Sequence, residues 1–135
     1  MKAPQTKKTI LALFDDLINI DTNKLTGITG KQKQEYKYAL DFLKAYSNSQ
    51  GTFNSYRREI EKLLQWTWII AEKTLRVLKR EDIEAFMVFC QKPPKSWISL
   101  QKFPRFIEKD GVRIHNPKWR PFTVTVSKSA RGKGE

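Results

Sequence analysis

Catalysis needs nucleophiles, acid–base groups or metal ligands held together, and this chain offers few. Cys90 is the single cysteine and His115 the single histidine. No zinc site of Cys and His ligands, CxxC redox pair or disulfide can therefore be assembled within one chain. A Ser-His-Asp or Cys-His centre would have to use His115, which no nucleophile motif accompanies in Arg113-Ile114-His115-Asn116-Pro117. There is no glycine-rich run ending in Lys-Ser or Lys-Thr to cradle a phosphate. The acids Asp15-Asp16, Glu59 with Glu61, and Glu81-Asp82 sit among basic residues. Adjacent residues on a helix point in different directions, so these acids read as helix-start signals and surface ion pairs. Cys90 closes the apolar run from Ala85 and reads as a small hydrophobe.

Binding chemistry is better represented. Arg57, Arg58 and Lys62 fall on the polar side of a helix with Thr52 and Asn54 at its start, where backbone amides attract phosphate. Ion pairing to Glu59 and Glu61 is the other use for those cations. A second basic set, Lys95, Lys102, Arg105 and Arg120, is interleaved with Trp97, Phe103, Phe106, Trp119 and Phe122. Its aromatics can pack while the cations meet phosphate, or can stack on single-stranded bases. The 26 Lys and Arg outnumber the 14 Asp and Glu, giving +12 and a pI near 9.9. Such a balance favours a polyanionic partner, nucleic acid before an anionic membrane, although solvated basic faces also exist. The excess grows toward the C-terminus, with nine cations against three acids over residues 101–135.

The elements that must position these groups read as helices. Over residues 6–20, Ile10, Leu13, Phe14, Leu17 and Ile18 recur at helical spacing and predict a short helix or an arm. Tyr36, Ala39, Leu40, Leu43 and Tyr46 predict a helix over 31–46, closed by Ser47 to Gly51. The next helix takes Thr52 as its cap and buries Phe53, Tyr56, Ile60, Leu63, Leu64, Thr67 and Ile70. A third runs over 80–90 with Ile83, Phe86, Met87 and Cys90 inward, stopped by Pro93-Pro94. Beyond it, Trp97 to Ile107 predicts helical turns, 111–121 a turn-rich loop, 122–126 a short strand and 127–135 a basic tail. No run is long and apolar enough for a membrane span, and Asp15-Asp16 follows the first apolar stretch too soon for a secretory signal.

The run Ser49 to Trp66, with Thr52, Tyr56-Arg57 and a hydrophobic close on Trp66, resembles the second helix of the core-binding domain of tyrosine recombinases. Leu75 to Phe86 resembles the start of that family's next helix, with Lys79 where a Ser or Thr cap is usual. Pro93-Pro94-Lys95-Ser96-Trp97 and Trp119-Arg120-Pro121-Phe122 follow in the order found in a bacterial subgroup, so the resemblance covers about residues 36–122. The family's Arg, His and nucleophilic Tyr catalytic set does not follow, and none of Tyr36, Tyr38, Tyr46 and Tyr56 is assigned as a nucleophile.

The resemblance implies an all-α, SAM-like bundle of about four helices with a loop-rich basic tail. Residues 1–30 would form an arm or extra helix, 31–122 the core-binding-like domain and 123–135 a tail or linker. It implies an intracellular, non-catalytic DNA-binding part of a site-specific recombinase, without cofactor or metal. Double-stranded DNA and sister protomers would be its partners. The expected contacts are Thr52, Asn54, Arg57, Arg58 and Lys62, then Lys95, Lys102, Arg105 and Arg120. The competing expectation is a helical protein-interaction module presenting Trp66, Trp68, Trp97 and Trp119 as an adhesive surface.

Overall fold

Two oxygen caps set the first helices. In the computed structural model, which describes residues 10–22, 25 and 27–124, the Thr29 hydroxyl accepts from the Gln32 amide. The Gln32 side chain accepts in return from the Thr29 amide, and helix α1 runs Gly30–Lys44. Helix α2 begins earlier than Thr52. Ser49, in extended conformation, accepts from the Thr52 amide, so Thr52 lies inside the first turn of Gln50–Gln65. The helix then widens into a turn over Trp66–Ile70, where the Ala71 amide reaches the Trp66 carbonyl at 3.0 Å. Glu72 ends it in the left-handed region at φ 56°.

Helix α3, Arg80–Gln91, has Lys79 before it, whose side chain can accept no hydrogen bond. Asp82 takes over by reaching back to the Lys79 amide at 2.9 Å while pairing with Lys73. The two hydrogen bonds hold the Asp82 carboxyl below its usual range, the backbone bond first.

The expectation of an all-α bundle of about four helices is overturned beyond α3. A short turn at Lys95–Trp97 leads into β1, Ile98–Ser99, which pairs in parallel with β4, Phe122–Thr123. Between them β2, Phe106–Lys109, and β3, Val112–His115, form an antiparallel hairpin. Its turn is Asp110-Gly111, at φ 54° and 79°, the paired positive values a tight hairpin needs. The described residues thus hold three α-helices and two two-stranded sheets, with strands where helical turns and a loop were expected. The reason is local: Phe-Ile-Glu-Lys and Val-Arg-Ile-His flank an Asp-Gly turn, and Pro104 bars a helix through the first strand's approach.

The segment before α1 also departs from expectation. Among its described residues, 10–16 form an irregular strap and only Leu17–Thr22 winds, as a 3-10 helix. Ala12, Leu13, Phe14 and Asp15 are consecutive and all buried, which a surface helix with a single inward stripe cannot achieve. The strap enters the main core with Tyr36, Leu43, Phe53, Leu64 and Trp68, and Phe14 stacks on Tyr36 at 5.1 Å. Ala12, on the same strap, packs a second cluster with Phe106 and Trp119.

Helix α3 joins this body loosely. None of its residues is buried, and Ile83 and Met87, expected inward, are 41% and 58% exposed. Its aromatic anchors are Phe86 against Trp66, and Phe89 against Trp97 and Phe122.

Candidate nucleic-acid interface

The charges of α2 divide between inside and outside, and the inside set dominates the structure. Glu61 is 1% exposed. Its Oε2 accepts from the Leu13 amide at 2.7 Å and the Phe14 amide at 3.3 Å, and its Oε1 from Arg105 at 2.7 Å. Asp15 accepts from Arg113 through Nε and Nη2, at 2.7 and 2.5 Å. Arg57 donates through Nη1 to the Asp15 carbonyl and to Asp16, both at 3.0 Å. Strap, α2 and hairpin are therefore sewn together by three carboxylate–arginine pairs. Asn116 completes the hairpin, donating to the Pro104 carbonyl and accepting from the Lys118 amide.

Burial pushes the Arg57 guanidinium below its ordinary value, as does nearby Arg105, with the Asp16 hydrogen bond opposing. Hydrogen bonding to Asp15 pushes Arg113 up. Burial raises the Cys90 thiol, which favours its protonated form.

The expected contact residues consequently have different fates. Arg57, 8% exposed and stacked over Phe53, serves the core rather than a surface helix face. Arg105 is bound to Glu61 and lies over the Trp119 ring. Asn54 accepts from Gln50 and Arg57, and Thr52 accepts from the Ser49 hydroxyl, so both are engaged at the helix start. Lys62 is largely covered, 4.7 Å from the Phe122 ring centre and 3.7 Å from Glu59. Arg120 donates to the Pro117 and Trp119 carbonyls at 2.7 Å, which fixes its side chain without cancelling its charge. Arg58, Lys95 and Lys102 stand exposed, Arg58 beside Glu59 at 3.6 Å.

Tertiary structure adds cations that the sequence pattern did not single out. Lys92, Lys109 and Lys118 are exposed along with Lys95 and Lys102, and Glu108 and Asp110 are the only acids between Lys92 and Arg120. Lys62 over Phe122, which pairs with Ile98 in the short sheet after Lys95, brings the Lys62 flank of α2 against this C-terminal region.

The adhesive tryptophan surface is not present. Trp66, Trp68, Trp97 and Trp119 are 3–8% exposed and pack the interior. Sequence reasoning missed Asp15, Glu61 and Arg113 as structural residues. The available signal was the spacing Phe53, Arg57, Glu61, Leu64, one helical stripe with an ion-pairing segment in its middle.

Among the described residues, no group of three His, Cys, Asp or Glu could hold a metal ion, and no helix is long and apolar enough to cross a membrane. No family model, curated protein or solved structure matches the chain.

Proposed function

We propose that this chain is a DNA-binding module of tyrosine-recombinase type, holding duplex DNA by its phosphates. The observation that carries the reading is the run of exposed lysines Lys92, Lys95, Lys102, Lys109 and Lys118, followed by Arg120 and broken by only two acids, Glu108 and Asp110. The ordered likeness of Ser49–Trp66, Leu75–Phe86, Pro93–Trp97 and Trp119–Phe122 to the recombinase core-binding pattern supplies the family half of the proposal.

Lysine is a point charge without a rigid fork, so such a surface holds backbone phosphate and reads little sequence. Of the arginines, Arg57, Arg105 and Arg113 are bound to Asp16, Glu61 and Asp15 and so are not free for bidentate base contacts. Affinity should therefore fall steeply with salt and vary little between unrelated duplexes. Fluorescence anisotropy on a labelled duplex tests this. Lys95→Ala, Lys102→Ala and Lys118→Ala each leave one phosphate un-neutralised, so each should lower the salt slope by about 0.9. A slope near zero for the parent protein, or one unmoved in the triple variant, rejects the interface.

A protein partner remains the competing reading on one observation, the exposed Ile83, Met87 and Val88 of α3. If Met87→Lys leaves DNA binding intact while abolishing self- or partner association, the two surfaces are separate.

A further inference from the structure

Helices α1 and α2 run antiparallel. Glu35, near the start of α1, meets Trp68 beyond the end of α2, while Phe42, near the end of α1, meets Tyr56. Residues 74–77 add a third wall to the groove between the two helices, and the recess so formed measures about 650 Å³. That size is ordinary for a small-molecule site. Ala39, Phe42, Ile60, Leu63, Leu75 and Val77 make most of its lining apolar. Tyr38, Phe42 and Val77 are 43–59% exposed, so the described chain leaves this apolar surface uncovered.

The charges of the lining gather at one end. Lys31, Glu35 and Arg76 all line the recess. Glu35 Oε2 accepts from the Leu75 amide at 2.8 Å, which holds Arg76, the next residue, beside that turn of α1. Lys31 is one turn nearer the start of the helix, on the same face as Glu35. Phe42 lies about 16 Å along the helix from Lys31, against Tyr46 and Tyr56. Both Glu35 oxygens are engaged by neutral donors, the Trp68 indole and the Leu75 amide. Neither Lys31 nor Arg76 has an ion-pair partner among the described residues. The remaining polar lining, Gln34, Tyr38 and Thr74, is neutral. The complement of two free cations at one end of an apolar trough is a single anionic head on an apolar chain. We propose that this recess binds a free medium-chain carboxylate, its alkyl chain along Ala39, Ile60 and Leu63 and its head at Lys31 and Arg76. A protein helix with acids along its length would find no cation in the lining beside Ala39 or Phe42.

Decanoate and 1-decanol share a chain and differ in the charge of the head, so they make a matched pair of probes. Each is titrated at neutral pH, below its own aggregation, into the methyl-labelled full chain, following Ala39, Ile60, Leu63 and Val77 by NMR. Decanoate is expected to move these methyls and to bind about tenfold more tightly than decanol. Lys31→Met with Arg76→Met should remove that preference. Lys109→Met with Lys118→Met subtracts the same charge elsewhere and should change it by no more than about twofold. Val77→Asp, at a position 54% exposed where folding is kept, should weaken decanoate binding by placing an acid in the wall beside Arg76. Equal affinity for the two probes, shifts that avoid the four methyls, or no shift at all would overturn the site. So would an equal loss of preference in both double variants, or unchanged binding in folded Val77→Asp. Methyl signals that move on dilution of the ligand-free chain would give the recess to a second copy instead. Tighter binding there of an acidic amphipathic peptide than of decanoate would give it to a protein helix.

Discussion

The inner side of α2 and the whole of α3 are helices of similar charge content with opposite energetics. On α2, Arg57 and Glu61 are buried between Phe53 and Leu64, and each meets a partner from a distant segment. On α3, Arg80 pairs with Glu84 four residues on, at the surface, and no side chain is buried. A solvated pair of that kind contributes about 0.3–0.5 kcal/mol. Removing one partner from a buried pair costs about 3–5 kcal/mol, because the other charge is left desolvated. The difference shows that a charged residue on a helix is not thereby a surface or ligand-binding residue.

Mutation can sharpen the contrast. Glu61→Leu should have the largest effect, about 3–5 kcal/mol in urea unfolding, since it strips acceptors from the Leu13 and Phe14 amides and leaves Arg105 without its carboxylate. A loss under about 1 kcal/mol, the scale of one neutral hydrogen bond, would show that Glu61 does not anchor the strap. Next come Arg57→Met and Arg58→Met, helix neighbours of which the first is buried and the second exposed. The first should cost about 1.5–3 kcal/mol as charged hydrogen bonds disappear. The second should stay within about 0.5 kcal/mol in stability and act, if anywhere, on DNA affinity. Equal destabilisation by both would erase the inside–outside distinction.

Met87→Ala tests the loose helix. At 58% exposure it should cost well under the ~2–5 kcal/mol expected of Leu64→Ala in the core, and thermal unfolding of the pair measures the gap. The smallest effect concerns pH. Burial lowers the His115 pKa below 6.5, so the unfolded chain takes up its proton first on acidification. Its contribution is complete above pH 6.5 and is lost as pH falls from there through the folded-state value. His115→Phe should flatten that part of the stability profile, and an unchanged profile would remove His115 as its cause.

Much of the secondary structure was legible. Tyr36, Ala39, Leu40 and Leu43 marked α1, and Pro93-Pro94 marked the end of α3, because periodicity and capping are local. The hairpin was missed: Asp110-Gly111 between alternating residues is a strong turn signal, but the aromatics from Trp97 to Ile107 read as helical turns and 111–121 as a loop. The face of α2 was legible only in part. Of the expected stripe, Phe53, Leu64 and Thr67 are buried, whereas Tyr56 and Ile70 are exposed and the charged Arg57 and Glu61 lie inside between Phe53 and Leu64. Tyr56 instead lies partly exposed against Phe42 and Tyr46.

The sequence by itself determined the basic balance, the scarcity of catalytic groups and the positions of three helices. Tertiary structure decided which charges face water. Arg105 reaches Glu61 across 44 residues and Arg113 reaches Asp15 across 98. A carboxylate can leave water only where its partner arrives with it, and no local window of sequence contains both.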